Sequence, residues 1–329
     1  MTPLEQLLVV LVMVAIGAIS YAMVYRRDLI ERLWYLDKHF LTRGTDKPTI
    51  WLFLPASEVN SRSWLDFGQR SSRALQIPLL NLCYQSIAAQ NEDYHIRVIS
   101  GVAGLAELLG QDALPPSFQR FGDLTPIGPA ERNWIRAAVL ARFGGLWLSP
   151  SVVALRPFGS LPDAIVFFGT DPGQMLSGPK GTAAPSEAAM WVPRAGHPVM
   201  VEWEAVAYQR VAEKRGGEQF RGDWGWDVER FAARAAAAGT PVVMDPHAEL
   251  SRGRDGKRLQ LEDLFAAGTD GRLPFDVPPH AVYCPIPWEE LQQREAFGWV
   301  LRMSEEQVME SDLAVRWLLE VGARSAPRL

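Results

Sequence analysis

The chain of 329 residues is 48% hydrophobic and 22% charged, with a formal charge of −5. That apolar fraction supplies a full core and excludes disorder over most of the length, while mild acidity without a long basic run leaves no electrostatic footprint for nucleic acid. Two cysteines, Cys83 and Cys284, with no CxxC and no cysteine–histidine cluster, argue against a disulfide scaffold and a structural zinc site.

The chain opens on an uncharged apolar run from Leu7 to Val24. As a helix it would measure roughly 27 Å, enough to cross a bilayer. Tyr21 and Tyr25 suit the interfacial belt, and Arg26 and Arg27 end the run. A cleaved leader would carry bases before the apolar stretch; here they follow it, so the run reads as an uncleaved anchor. Arg26, Arg27, Arg32, Lys38 and Arg43 then place the remainder on the cytoplasmic side. The expected organisation is an anchor over residues 1–27, a juxtamembrane helix and linker over 28–47, and an α/β domain over 48–329.

In that domain, Thr49–Leu54 (TIWLFL) predicts a buried first strand. A helical pattern through Leu79, Leu80, Leu82, Cys83 and Ile87 leads to a second strand, Tyr94–Ser100. Strand, helix, strand at this spacing is a βαβ unit and implies a parallel sheet. Short helices are expected at Ala106–Leu109 and Phe118–Phe121, and a longer one over Glu131–Phe143, broken by Gly144 and Gly145. Leu146–Leu155 reads as one extended run, with further strands at Ala164–Gly169, Ala188–Val192 and Pro241–Met244. Helices are expected around Pro198–Arg215, Trp226–Ala238 and Ser304–Glu320, the last capped by Ser304 with Glu305 and Glu306 in its first turn.

No phosphate-binding, dinucleotide, zinc-protease or nucleophile-elbow motif is present, and His39, His95, His197, His247 and His280 show no ligand spacing. Two polar clusters stand out. Ser57–Arg73 follows the first strand, where α/β sheets bind ligands; Trp64 could stack on a base and Arg62 meet a phosphate, or the stretch is a solvated loop. Arg221–Asp227 (RGDWGWD) sets two tryptophans beside Asp223 and Asp227, as an acceptor site with a catalytic base would, or as a packed helix start capped by Asp223 would.

The order of these features carries a resemblance. The first strand, then Pro78–Ser100 (PLLNLCYQSIAAQNEDYHIRVIS), Asn133–Arg136 (NWIR) and Arg142–Leu155 (RFGGLWLSPSVVAL) resemble the capsular polysaccharide synthesis proteins and related glycosyltransferases with a DXD-containing sugar-binding region. The resemblance implies a Rossmann-like, GT-A-type nucleotide-sugar domain behind the transmembrane helix. It further implies a nucleotide-sugar donor, a glycan or lipid-linked acceptor, and a Mn²⁺ or Mg²⁺ ion held by the DXD carboxylates on the donor diphosphate. Carried onto this chain, Arg136 neutralises donor phosphate, Asn133 hydrogen-bonds the donor, and Ser149 and Ser151 line the emptied metal position. Trp51, Gly144, Gly145 and Trp147 join Arg62 and Trp64 of the first polar cluster as donor-site candidates, and Asp223 or Asp227 of the second cluster is the candidate base.

The chain departs from that pattern where the charge matters. Asn133 replaces the aspartate that precedes the arginine, and Ser149-Pro150-Ser151 replaces the metal-binding carboxylates. Hydroxyls are poor ligands for a hard dication. Three accounts stay open: a metal-independent hexosyltransferase, a metal held by an acid from elsewhere (Asp163, Asp171, Glu187, Asp223 or Asp227), or an inactive relative serving as a binding or scaffold subunit of a polysaccharide assembly.

Overall fold

The computed structural model describes residues 47–55, 78–171, 184–213, 228–254, 256–268, 273 and 275–323. The chain divides into two compact units, Met1–Lys47 with Trp64–Ala74, and Pro48–Ser63 with Leu75–Leu329. Apart from Lys47, every described residue belongs to the second. The expected anchor, the juxtamembrane helix, the Ser57–Arg73 cluster with Arg62 and Trp64, and the Arg221–Asp227 cluster with Asp223 and Asp227 lie outside the described residues. Among the described residues no helix is long and apolar enough to cross a membrane.

The chain order is β1 (Thr49–Leu54), α1 (Pro78–Gln90), β2 (His95–Ser100), α2 (Gly101–Leu109), α3 (Pro116–Phe121), α4 (Pro129–Phe143), β3 (Gly145–Leu148) and β4 (Val152–Ala154). It continues with β5 (Ile165–Phe168), β6 (Thr170–Asp171), β7 (Ala184–Pro185), β8 (Ala189–Val192), α5 (Pro198–Ala212), α6 (Val228–Ala237) and β9 (Val242–Asp245). Last come α7 (Leu261–Leu264), β10 (Tyr283–Pro285), α8 (Trp288–Gln293), α9 (Glu305–Glu310) and α10 (Ala314–Ala323).

Six strands form a mixed sheet in the order β2-β1-β3-β8-β5-β9. β1 runs parallel to β2 and β3, β8 runs antiparallel to β3 and β5, and β5 is parallel to β9. β2 and β3 flank β1 on opposite sides, so the direction of winding reverses there. Such a switch point leaves a crevice at the carboxyl ends of the strands, where ligands of α/β sheets bind.

Period-two alternation divides the core between the sheet faces. Trp51 and Phe53 join Trp147, Phe167, Trp134, Trp203 and Phe231 beneath the α2–α6 helices. Ile50 and Leu52 point the other way, with Leu146, Leu148, Phe168 and Tyr283. A third cluster packs α1 against α10 and the β4–β10 ribbon, drawing in Leu264, Phe275 and Leu318 from the C-terminal third.

Cys83 and Cys284, distant in sequence, both lie in that third cluster as buried free thiols. Burial pushes the Cys83 thiol up to about 12 and the Cys284 thiol higher still, with Glu249 adding to the latter. Neither thiol should react with a disulfide reagent at pH 8 in the folded protein, and both should react after unfolding. Rapid native labelling would show that this cluster opens.

Three elements differ from the sequence reading. Leu146–Leu155 is two strands in two sheets: β3 lies in the main sheet, and after the Ser149–Ser151 turn β4 pairs with β10. α2 begins at Gly101 because Asp123 accepts hydrogen bonds from the Val102 and Ala103 amides, occupying two of the helix's orphan donors. The Ser304–Glu320 helix is broken in two. Ser304 caps α9 as expected, but Leu313 bridges to Ala267 and Asp312 accepts from the Gly268 amide, which draws the backbone out of the helix.

Candidate functional site

α4 leads into β3 through Gly144 and Gly145, so its first turns lie beside the carboxyl end of β3. Glu131 reaches back to the Gly128 amide and fixes that helix start. The next turns carry Arg132, Asn133 and Arg136. The dipole field of the helix falls off within its first turn, where Glu131 already stands, so the positive character of this edge comes from Arg132 and Arg136.

Arg136 is 3% exposed and Asn133 is 2% exposed. The Arg136 guanidinium lies over the Trp147 ring, 5.9 Å from its centre. Its Nη2 is 3.7 Å from Glu187 Oε2, an ion pair longer than a hydrogen bond, and the Glu187 side chain is 53% exposed. Arg136 Nε is buried without an acceptor. Burial lowers the guanidinium's pKa, Glu187 opposes that, and Arg132 adds to the fall. Arg132 pairs with Glu289 at the start of α8. The floor of this edge is therefore a buried cation whose hydrogen-bonding capacity is only partly used.

The turn after β3 is held from both sides. Its Ser149 amide donates to the Ala188 carbonyl over 2.7 Å, and the Ile286 amide donates to the Ser151 carbonyl over 2.8 Å. Ser151 is buried, and its hydroxyl donates to the Ile286 carbonyl over 3.1 Å. The two serine hydroxyls are 3.2 Å apart. Since each hydroxyl has one proton and that of Ser151 is committed, Ser149 donates to Ser151 and presents acceptor lone pairs outward. Ser149 is half-buried, so those lone pairs remain open to solvent.

This donor set does not fit the divalent ion that the family pattern implies. Both hydroxyls are neutral and one is saturated by a carbonyl, and Glu187 faces a guanidinium. Among the described residues no three His, Cys, Asp or Glu side chains converge.

Other expected site residues are placed elsewhere. Trp51 is 2% exposed, and its indole donates to the Gly144 carbonyl over 2.8 Å. Gly144 and Gly145 have φ of 65° and 98°. A Cβ on Gly145 would lie 2.5 Å from the Thr49 carbonyl, and one on Gly144 would lie 2.8 Å from the Arg194 backbone. The glycines thus allow β3 to start against β1 and the Arg194 segment. They stand at its amino end, about 13 Å from the serine turn. Trp51, Gly144 and Gly145 thus make close packing contacts within the sheet, and Trp147 is a buried support beneath Arg136. A cavity of about 200 Å³ lies at the other end of α4, lined by Leu109, Ala113, Ala141, Arg142, Val201 and Glu204.

Sequence reasoning did not select Glu187 from the available acids, because only the antiparallel β8 return brings it to Arg136. It also missed Arg132, whose spacing of four from Arg136 was a usable signal.

No protein-family model matches the chain, and no curated protein matches it. Among solved structures, it is similar to the PaToxG glycosyltransferase, with 13% identity over 66% of this chain and 79% of that one and a TM-score of 0.37. It is also similar to the apo-form glycosyltransferase GlyE of Streptococcus pneumoniae TIGR4, with 10% identity over 84% of this chain and 63% of that one, again with a TM-score of 0.37. Likeness of this degree assigns no role to any residue.

Proposed function

We propose that the protein is a glycosyltransferase-type protein of cell-surface polysaccharide synthesis that takes a nucleotide-sugar donor at the carboxyl edge of β3. The observation that carries this reading is the buried, incompletely bonded Arg136 guanidinium at the switch point of the sheet. A diphosphate replaces the distant, solvated Glu187 as its partner, and charge-assisted hydrogen bonds compensate the buried cation. As the donor's sugar bond breaks, negative charge grows on the leaving diphosphate, where Arg136 stabilises it without a metal ion. Ser149 accepts a hydrogen bond from a sugar hydroxyl. On sequence grounds alone, Arg62 and Trp64 are assigned to the nucleotide and Asp223 or Asp227 to the acceptor proton. The N-terminal anchor would hold the domain on the cytoplasmic face, near a glycan or lipid-linked acceptor.

A second reading, a binding subunit without turnover, is favoured by the replacement of the metal-binding carboxylates with Ser149 and Ser151. Titration of the full chain with nucleoside diphosphates and nucleotide sugars, with Mn²⁺ or with chelator, tests both. Saturable binding that survives chelation, with slow hydrolysis of one sugar nucleotide, is expected of the enzyme. Binding without hydrolysis or transfer identifies the subunit. A flat titration across the common nucleotides removes the donor site altogether.

A further inference from the structure

The segment after β9 carries His247, and the turn before β10 carries His280. The folded chain brings these exposed histidines together, with ring centres 5.2 Å apart and planes crossing at 72°. Backbone pairing fixes the two segments. The Val282 and Tyr283 amides both donate to the Ala248 carbonyl, at 2.7 and 3.1 Å, and the Leu250 amide donates to the Tyr283 carbonyl over 2.8 Å. Arg156 clamps the His280 turn by donating to the Pro278 and Ala281 carbonyls, at 2.9 and 2.6 Å. On the other segment, Asp245 accepts from the His247 amide over 3.3 Å. The two imidazoles are thus held on braced backbone at the carboxyl edge of β9, the outermost strand of the sheet and three strands from β3.

A tetrahedral zinc ion bound through one nitrogen of each ring, at about 2.0–2.1 Å, would lie about 3.2 Å from each ring centre and hold the centres about 5.2 Å apart. The observed separation meets that requirement. We propose that His247 and His280 form a two-histidine site for a borderline transition-metal ion, Zn²⁺ or Cu²⁺, distinct from the Arg136 edge.

Imidazole is the matching ligand for these ions, and hard oxygen-seeking Mg²⁺ is excluded. No third His, Cys, Asp or Glu completes a ligand group among the described residues, so water or an added ligand fills the remaining positions. Asp245 contributes favourable charge nearby, while the Arg156 guanidinium opposes it. Affinity is therefore expected to be below that of a closed four-ligand structural site. A bound ion would pin the residue 278–282 turn to the end of β9 and raise thermal stability by mass action.

Isothermal titration of the full chain with Zn²⁺ at pH 7.5 tests the site. One equivalent should bind, and His247→Ala or His280→Ala should each weaken it by at least about tenfold, as loss of one of two ligands requires. His95→Ala should leave it unchanged. Electron paramagnetic resonance of the first Cu²⁺ equivalent should show two imidazole nitrogens in the parent and one in either single variant. Zinc binding that persists in the double variant, or copper spectra unchanged by both substitutions, would overturn the proposal.

Discussion

Arg136→Met is expected to weaken nucleoside-diphosphate binding by roughly 10- to 150-fold, the range for losing a hydrogen bond to a charged group, while leaving thermal stability unchanged or higher. The two effects separate because of what surrounds the guanidinium. Its nearest carboxylate, Glu187, is 3.7 Å away and 53% exposed, so it returns to water at little cost when the cation is removed. An unbranched apolar side chain then occupies the space over Trp147, and replacing a buried charge this way is often neutral or stabilising. Calorimetric affinity and a thermal melt on the same preparation read both quantities. Were Arg136 simply a structural ion-pair partner, the variant would melt earlier and bind no differently. Glu187→Gln should act in the other direction, tightening diphosphate binding severalfold by removing the anion that competes for the guanidinium.

Gly145→Ala should be the most damaging small substitution in the sheet. At φ 98° the backbone is strained for any L-residue with a Cβ, and the added methyl would meet the Thr49 carbonyl at 2.5 Å and the Trp51 indole nitrogen at 2.9 Å. The left-handed conformation costs about 1–2 kcal/mol and overpacking about 1–3, so a loss of roughly 2–5 kcal/mol is expected. For a domain of ordinary marginal stability this is a large fraction of the total. Denaturant midpoints measure it. The folded fraction should retain its nucleotide affinity, because the glycine lies at the opposite end of β3 from the serine turn. A stability change under about 1 kcal/mol, or a selective loss of binding, would return the glycine pair to the ligand site.

Much of the sheet was legible from local pattern. TIWLFL reads as a buried strand because it is one, with both faces covered and β2 and β3 on either side. The Gly144–Gly145 stop was equally plain, since two glycines at a helix end remove the Cβ that would forbid positive φ. The switch of sheets within Leu146–Leu155 was not legible. Both halves are apolar and extended, and only the bonds from Ser149 to Ala188 and between Ser151 and Ile286 separate them. The division of Ser304–Glu320 was hidden for the same reason, because its cause is a partner at Ala267. Arg136 was singled out from its place ahead of the glycine pair, but its burial over Trp147 was not legible. The packing of Trp51 was not legible, because an indole beside glycines looks alike whether it stacks on a ligand or bonds to a carbonyl, as Trp51 does to Gly144. The histidine pair was invisible, since nothing local relates the end of β9 to the turn before β10.

The serine turn belongs to two sheets at once, and this limits how the molecule can deform. Shear between the large sheet and the small ribbon would have to rupture the amide hydrogen bonds on both flanks of Pro150. Whatever docks on Ser149 consequently meets an anvil rather than a hinge. If the proposed donor site is correct, selection among sugars would then fall to the rim, where side chains can be exchanged by mutation without disturbing the foundation.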